Sequence, residues 1–107
     1  MTVTIKNLAN GQLSDTTGDL YEVAASTTAI TNTITFVNTH TIAVTINLYL
    51  LPSGGTARNI IPIDLSLAAG YCAILDSEIN LDAGDKLQGD ASVADKVDYT
   101  IGGLENA

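Results

Sequence analysis

The chain has 107 residues, 46% of them apolar, and a net charge of −8 from 12 acidic and four basic residues. That length suits one domain, and a domain of this size buries roughly 65% of its unfolded surface without a disulfide or metal to hold it. Lys6, Arg58, Lys86 and Lys96 are too scattered to follow a phosphate backbone, and the acidic excess repels an anionic membrane, so the sequence argues against nucleic acid and membrane as partners.

Ile, Val and Thr are abundant, with one Phe and no Trp. Branching at Cβ suits a pleated surface and disfavours helix, so the core is expected to be aliphatic and the fold all-β. The opening MTVTIKNL lacks a basic leader and a long apolar run, and does not read as a signal peptide. Val3 and Ile5 alternate with Thr2, Thr4 and Lys6 in a first short strand, and Asn10-Gly11 signals a turn. Ser14 to Gly18 is a polar loop, Leu20 to Val23 a second strand, and Ala25 to Thr28 a small-residue connection.

Ile30 to Val37 reads as a third strand, with Ile30, Asn32, Ile34 and Phe36 on one face and Thr31, Thr33, Thr35 and Val37 on a solvated one. Asn38 to Thr41 is a short polar link. The strand after it has the clearest period of two: Ile42, Val44, Ile46, Leu48 and Leu50 share one side, and Ala43, Thr45, Asn47 and Tyr49 the other. Pro52-Ser53-Gly54-Gly55 ends it. The short link predicts that the third and fourth strands form an antiparallel hairpin at the centre of the fold.

Pro62 cannot donate a ladder hydrogen bond, which places Ile60 to Leu67 at an edge, a bulge or an extended crossover. Ala69-Gly70 is a turn, Tyr71 to Leu75 a strand, and Asp82 to Asp85 another turn. Ala91 to Lys96 is the one helix candidate, too short to form independently. Val97, Tyr99 and Ile101 alternate in a last strand ended by Gly102-Gly103, leaving residues 103–107 as a free tail. Turn signals recur about every 8–12 residues, the spacing of a sandwich or barrel. The expectation is a single antiparallel β-sandwich over residues 1–107, jelly-roll or immunoglobulin-like, of about eight short strands, with residues 1–18 an N-terminal arm or edge strand.

Few residues suggest chemistry. His40, the only histidine, lies in a polar link with no marked nucleophile, and one His with one Cys cannot make a zinc site. Asp82, Asp85 and Asp90 flank glycines and could in principle hold calcium. Their spacing does not match the roughly twelve-residue calcium loop, and Asp and Gly favour turns in any case. Asp64 and Asp76 are imaginable as an acid–base pair, against the default of solvated carboxylates. Cys72 sits in an apolar run and reads as a small buried hydrophobe, in a chain made in a reducing compartment. No catalytic, cofactor or metal residue is assigned. Tyr49 and Leu51, opposite the apolar face of their strand, are the candidate interface residues, since an apolar ring with a polar tip suits a contact.

Several segments carry a resemblance. They are Leu20-Tyr21-x-Val23-x-Ala25-Ser26-Thr27-Thr28-Ala29-Ile30, Ile34-Thr35-x-Val37-Asn38-Thr39, Val44, Leu48-Tyr49-Leu50-x-Pro52-Ser53-Gly54-Gly55, and Leu81-x-Ala83-Gly84-Asp85-x-Leu87. In order and spacing this resembles a family of small phage-encoded virion structural proteins, over about residues 19 to 101. The resemblance implies a non-enzymatic virion component made in the host cytoplasm. It would be a capsid cement or decoration protein bridging neighbouring subunits, or else part of a tail, neck or fibre. It implies other virion proteins as partners, with a homo-oligomer, by analogy a trimer on threefold positions, and no cofactor. A carbohydrate or host-surface binding module is the competing reading.

Overall fold

The computed structural model describes residues 2–107. Ten strands follow in chain order: β1 (Val3–Gln12), β2 (Gly18–Glu22), β3 (Thr28–Asn38), β4 (Val44–Leu51), β5 (Arg58–Asn59), β6 (Leu65–Leu67), β7 (Cys72–Leu75), β8 (Ile79–Leu81), β9 (Lys86–Ala91) and β10 (Val97–Asn106). No helix occurs among the described residues, and Ala91 to Lys96 is the end of β9 and a turn.

The strands form two five-stranded antiparallel sheets, as expected for a β-sandwich. Sheet A runs β1-β10-β3, with β7 and β8 both on the far side of β3. Sheet B runs β2-β9-β4, with β5 and β6 both on the far side of β4. The pairing order has a rule. The first strands return against the last in reverse, β1 with β10, β2 with β9, β3 with β8, and β4 with β6. Successive pairs land on alternate sheets, and β10·β3 and β9·β4 pairings complete each sheet.

The predicted hairpin of the third and fourth strands is therefore corrected. β3 belongs to sheet A and β4 to sheet B, and residues 39–43 cross between them. The crossing is held by Asn38, which is fully buried. Its amide nitrogen donates to the carbonyls of Ile42, Leu67 and Ala68 at 3.0–3.2 Å, and its Oδ1 accepts the His40 N–H at 2.8 Å. Ile42 consequently lies outside β4, exposed in the crossing. Val44, Ile46 and Leu48 fill the core as predicted.

The core is aliphatic around one phenylalanine. Ile34, Phe36 and Ile101 of sheet A face Ile46, Leu48 and Leu87 of sheet B, all at most 1% exposed. Each such side chain stabilises the fold by about 1.5–3 kcal/mol.

β3 departs from simple alternation. Ala29 and Thr31 point inward at its start, and Ile34, Phe36 and Asn38 later, so the phase flips between them. The cause is a β-bulge: Thr33 pairs with Gly102 and Thr31 with Gly103, leaving Asn32 as the extra residue. Ile30 and Asn32 therefore do not share the buried face of Ile34 and Phe36. Thr31, assigned to the solvated face, is buried, where its Oγ1 accepts the Ile79 N–H at 3.2 Å. The bulge requires glycine opposite. A Cβ on Gly103 would stand 2.1 Å from the Ile30 carbonyl oxygen.

Gly102-Gly103 is thus the middle of a strand, and the free tail is corrected as well. Residues 103–106 continue β10 between β1 and β3, and Ala107 and Thr2 exchange backbone hydrogen bonds of 2.7 and 3.0 Å. The turn predicted at Asn10-Gly11 is also absent. β1 runs straight through it, and Gly11 makes room for the Tyr99 ring. Of the two alternatives for residues 1–18, β1 is an edge strand of sheet A.

Cys72 is exposed, contrary to the expected burial. β7 lies at the margin of sheet A, where Ala73 and Leu75 face the core and leave Cys72 and Ile74 outside. Pro62 behaves as expected: β5 and β6 both pair β4, and residues 60–64 form an irregular excursion between them.

Candidate functional site

Tyr49 and Leu51 lie on the outer face of sheet B, both half-buried. Alternation along β4 places them there with Asn47, opposite the core-facing Ile46 and Leu48. Asn47 is buried although it is on the outer face. The excursion after β5 explains this: the Asp64 N–H donates to Asn47 Oδ1 at 2.9 Å. The Asn47 amide nitrogen in turn donates to Asp64 Oδ1 at 2.9 Å and to Asp90 Oδ1 at 3.0 Å. The Asn47 side chain thereby supplies the pairing that the interrupted ladder lacks, and holds two carboxylates apart. Thr17 donates its hydroxyl to the other Asp90 oxygen at 2.7 Å, tying the loop after β1 to β9.

Tyr49 completes this polar surface. Burial first, then the carboxylates of Asp90 and Asp64, raise its phenol above the ordinary value. Its hydroxyl thus stands near two carboxylate acceptors. Further along the same face, Lys86 pairs with Asp19 at 3.1 Å, and Gln88 donates to Asp19 at 2.7 Å. The surface offers hydrogen-bonding groups fixed by their neighbours, with half-buried Leu51 at its margin.

The other residues singled out in the sequence are dispersed. Asp85 is buried, and its two oxygens accept the backbone N–H groups of Ser53 and Asp82, both at 2.9 Å, so it joins the turn after β4 to the turn before β9. Asp90 belongs to the Asn47 network instead. No group of three or more His, Cys, Asp or Glu residues placed to hold a metal occurs among the described residues. Asp64 sits with Asn47 on sheet B, while Asp76 accepts the Thr33 hydroxyl at 3.3 Å on sheet A. They form no acid–base pair. His40 lies in the crossing after β3, at the end of the sandwich away from the paired termini.

Surface depressions are open. One of about 300 Å³ is lined by Val3, Ile30, Leu81 and Leu104, and another of about 480 Å³ by the β2–β3 connection with Ala83 and Gly84. Sequence reading missed the exposed apolar residues. Val3 and Ile5 on β1, Ile42 and Tyr71 around the Asn38 crossing, Ile63 in the excursion and Ile74 on β7 are all more than half exposed. Free strand edges, invisible to alternation alone, leave several of them uncovered.

No family model matches the chain, and no curated protein does. Solved structures do. The chain is similar to a chain of infectious bursal disease virus, Gx strain, at 17% identity and a TM-score of 0.54, covering 97% of this chain and 32% of that one. It is also similar to a chain of the T13 particle of that virus, at 13% identity and a TM-score of 0.51, covering 97% of this chain and 30% of that one. The chain spans about a third of the length of these neighbours. At such identities the likeness is one of fold, and it extends over nearly the whole sandwich.

Proposed function

We propose that this chain is a non-enzymatic structural component of a virus particle, a jelly-roll block that works by contact. The carrying observation is the wiring of the two sheets. Pairing of first strands with last, laid alternately on two sheets, supports reading the sandwich as a rolled, jelly-roll ribbon. A similar fold over 97% of the chain in a chain of infectious bursal disease virus, at a TM-score of 0.54, supports the reading. The bacteriophage origin, the cement or decoration role and the trimer on threefold positions rest on the sequence resemblance and on analogy. The acidic surface keeps the chain soluble in the host cytoplasm before assembly. Tyr49 and Leu51, beside the fixed Asp64 and Asp90 carboxylates, are the contact assigned to sheet B.

Quantitative mass spectrometry of purified particles tests this reading. The chain is expected at a fixed copy number relative to the main shell subunit. Its absence from washed particles overturns the proposal.

A further inference from the structure

The outer face of sheet A carries an apolar hollow at the end of the sandwich where the termini meet. Ala29 and Thr31 turn inward, so Ile30 between them turns outward. Register sets Ile30 level with Leu104 of β10, and Leu104 level with Ile5 of β1. Partners across an antiparallel ladder share a face, so the three side chains form one row. Ile5 is 81% exposed, and Val3, two residues earlier on the same face of β1, is 62% exposed. Val3, Ile30 and Leu104 line a depression of about 300 Å³ whose walls also include Leu81, Asp82 and Asn106.

The polar groups of these walls lack partners of one kind. Asp82 is exposed, and it gives the turn before β9 its backbone N–H. Its carboxylate takes part in no ion pair or side-chain hydrogen bond among the described residues. Asn106 Oδ1 is buried and has no donor among the described residues. An oxygen in that position costs free energy until a donor reaches it. Glu105, also at the depression, differs: Tyr21 and Lys6 both donate to it, Lys6 at 3.0 Å. Lys6 is thereby engaged, and what the hollow lacks is a second cation.

These features describe one occupant. An apolar floor suits an aliphatic stem, and an unpaired carboxylate at its margin suits a positive head at the end of that stem. A guanidinium matches a carboxylate with a planar fork of two N–H groups, and it has further N–H groups for an amide oxygen. We propose that this depression is a docking socket for an arginine side chain of a neighbouring shell subunit. The stem lies on Val3, Ile30 and Leu104, and the guanidinium forks onto Asp82. This deepens the reading of the chain as a virion block and rests on it for the source of the arginine.

Nuclear magnetic resonance of the full chain, titrated with Nα-acetyl-arginine methylamide, tests the socket. Amide shifts are expected at Val3, Ile30, Leu81, Asp82 and Leu104, with a Kd on the order of 10 mM for so small a probe. The citrulline analogue keeps the stem and shape without the charge, and is expected to bind about threefold more weakly. Asp82→Asn is expected to weaken arginine binding about threefold as well. Val3→Thr, at an exposed strand position, is expected to weaken both probes roughly twofold. No shift at these residues by about 50 mM probe overturns the proposal. So does citrulline binding equal to arginine, or a D82N variant that binds like wild type. Shifts at the same residues when the chain alone is concentrated would give the hollow to a second copy, and overturn it too. A chain that binds the probe yet is absent from particles keeps the socket and removes the virion reading. A chain present in particles that ignores the probe does the reverse.

Discussion

Tyr21 of sheet B donates its phenolic hydroxyl to Glu105 of sheet A, so a single hydrogen bond clasps the two layers along their β1–β2 side. Lys6 reaches the other Glu105 oxygen at 3.0 Å. The donor from Tyr21 first, and that from Lys6 second, hold the Glu105 carboxyl below its ordinary value of 4.5. Burial first, then the hydrogen bond to Glu105, pushes the Tyr21 phenol well above its ordinary value.

Tyr21→Phe is expected to cost about 2 kcal/mol, since a hydrogen bond to a charged group is lost at a buried position. The pH dependence follows from the signs. The depressed Glu105 value contributes stability above pH 4.5 that is lost as pH falls below it. The raised Tyr21 value contributes stability below its ordinary 10.0 that is lost at higher pH. Urea unfolding of both proteins from about pH 3 to about pH 8 should show a shallower acid loss for the Phe variant.

Gly103→Ala places a methyl 2.1 Å from the Ile30 carbonyl oxygen and 3.0 Å from the Thr31 Cα, both backbone atoms that cannot rotate away. The variant is expected to lose at least about 3 kcal/mol or fail to fold. Gly54→Ala is the contrast. Nothing lies within 4 Å, but φ is +70°, so the expected loss is about 1 kcal/mol. Thermal unfolding of the two variants ranks them.

Asn38→Ala removes the donor shared by three carbonyls and the acceptor of the His40 N–H. Each buried group left unpaired costs about 1–3 kcal/mol, and water entry reduces the sum to an expected loss near 3 kcal/mol. Amide hydrogen exchange should accelerate at residues 39–43 and 68–71, and remain slow at β9.

Asn47→Asp replaces the amide between Asp64 and Asp90 with a third carboxylate. A loss of about 1–3 kcal/mol is expected at neutral pH, because a carboxylate at the buried position 47 repels the exposed Asp64 and half-buried Asp90 and no longer donates to either. Denaturant midpoints of wild type and variant should converge in acid, where the added carboxyl is protonated.

The sequence was legible where alternation is unbroken. Val44, Ile46 and Leu48, and Val97 and Ile101, are buried as their spacing implies. It misled where a distant partner decides the geometry. The phase of β3 depends on Asn32 bulging opposite Gly103, a residue on the last strand. The hairpin expectation failed because Asn38 turns the chain across the sandwich instead of back along the sheet. Turn-forming glycines were overcounted, since Gly11 and Gly103 serve close approach inside strands. On the candidate surface, the outward position of Tyr49 was readable from its spacing. The burial of Asn47 was not, because the excursion that covers it carries no periodic signal.

The mutual hydrogen bonds of Thr2 and Ala107 have a mechanical consequence. Tension applied between the two ends pulls on neighbouring antiparallel strands from one pole, so it loads the β1–β10 rungs one after another. Such an arrangement peels open like a zip at low force. Load entering through the broad flanks of the sheets instead strains many rungs together, and there the block is stiff.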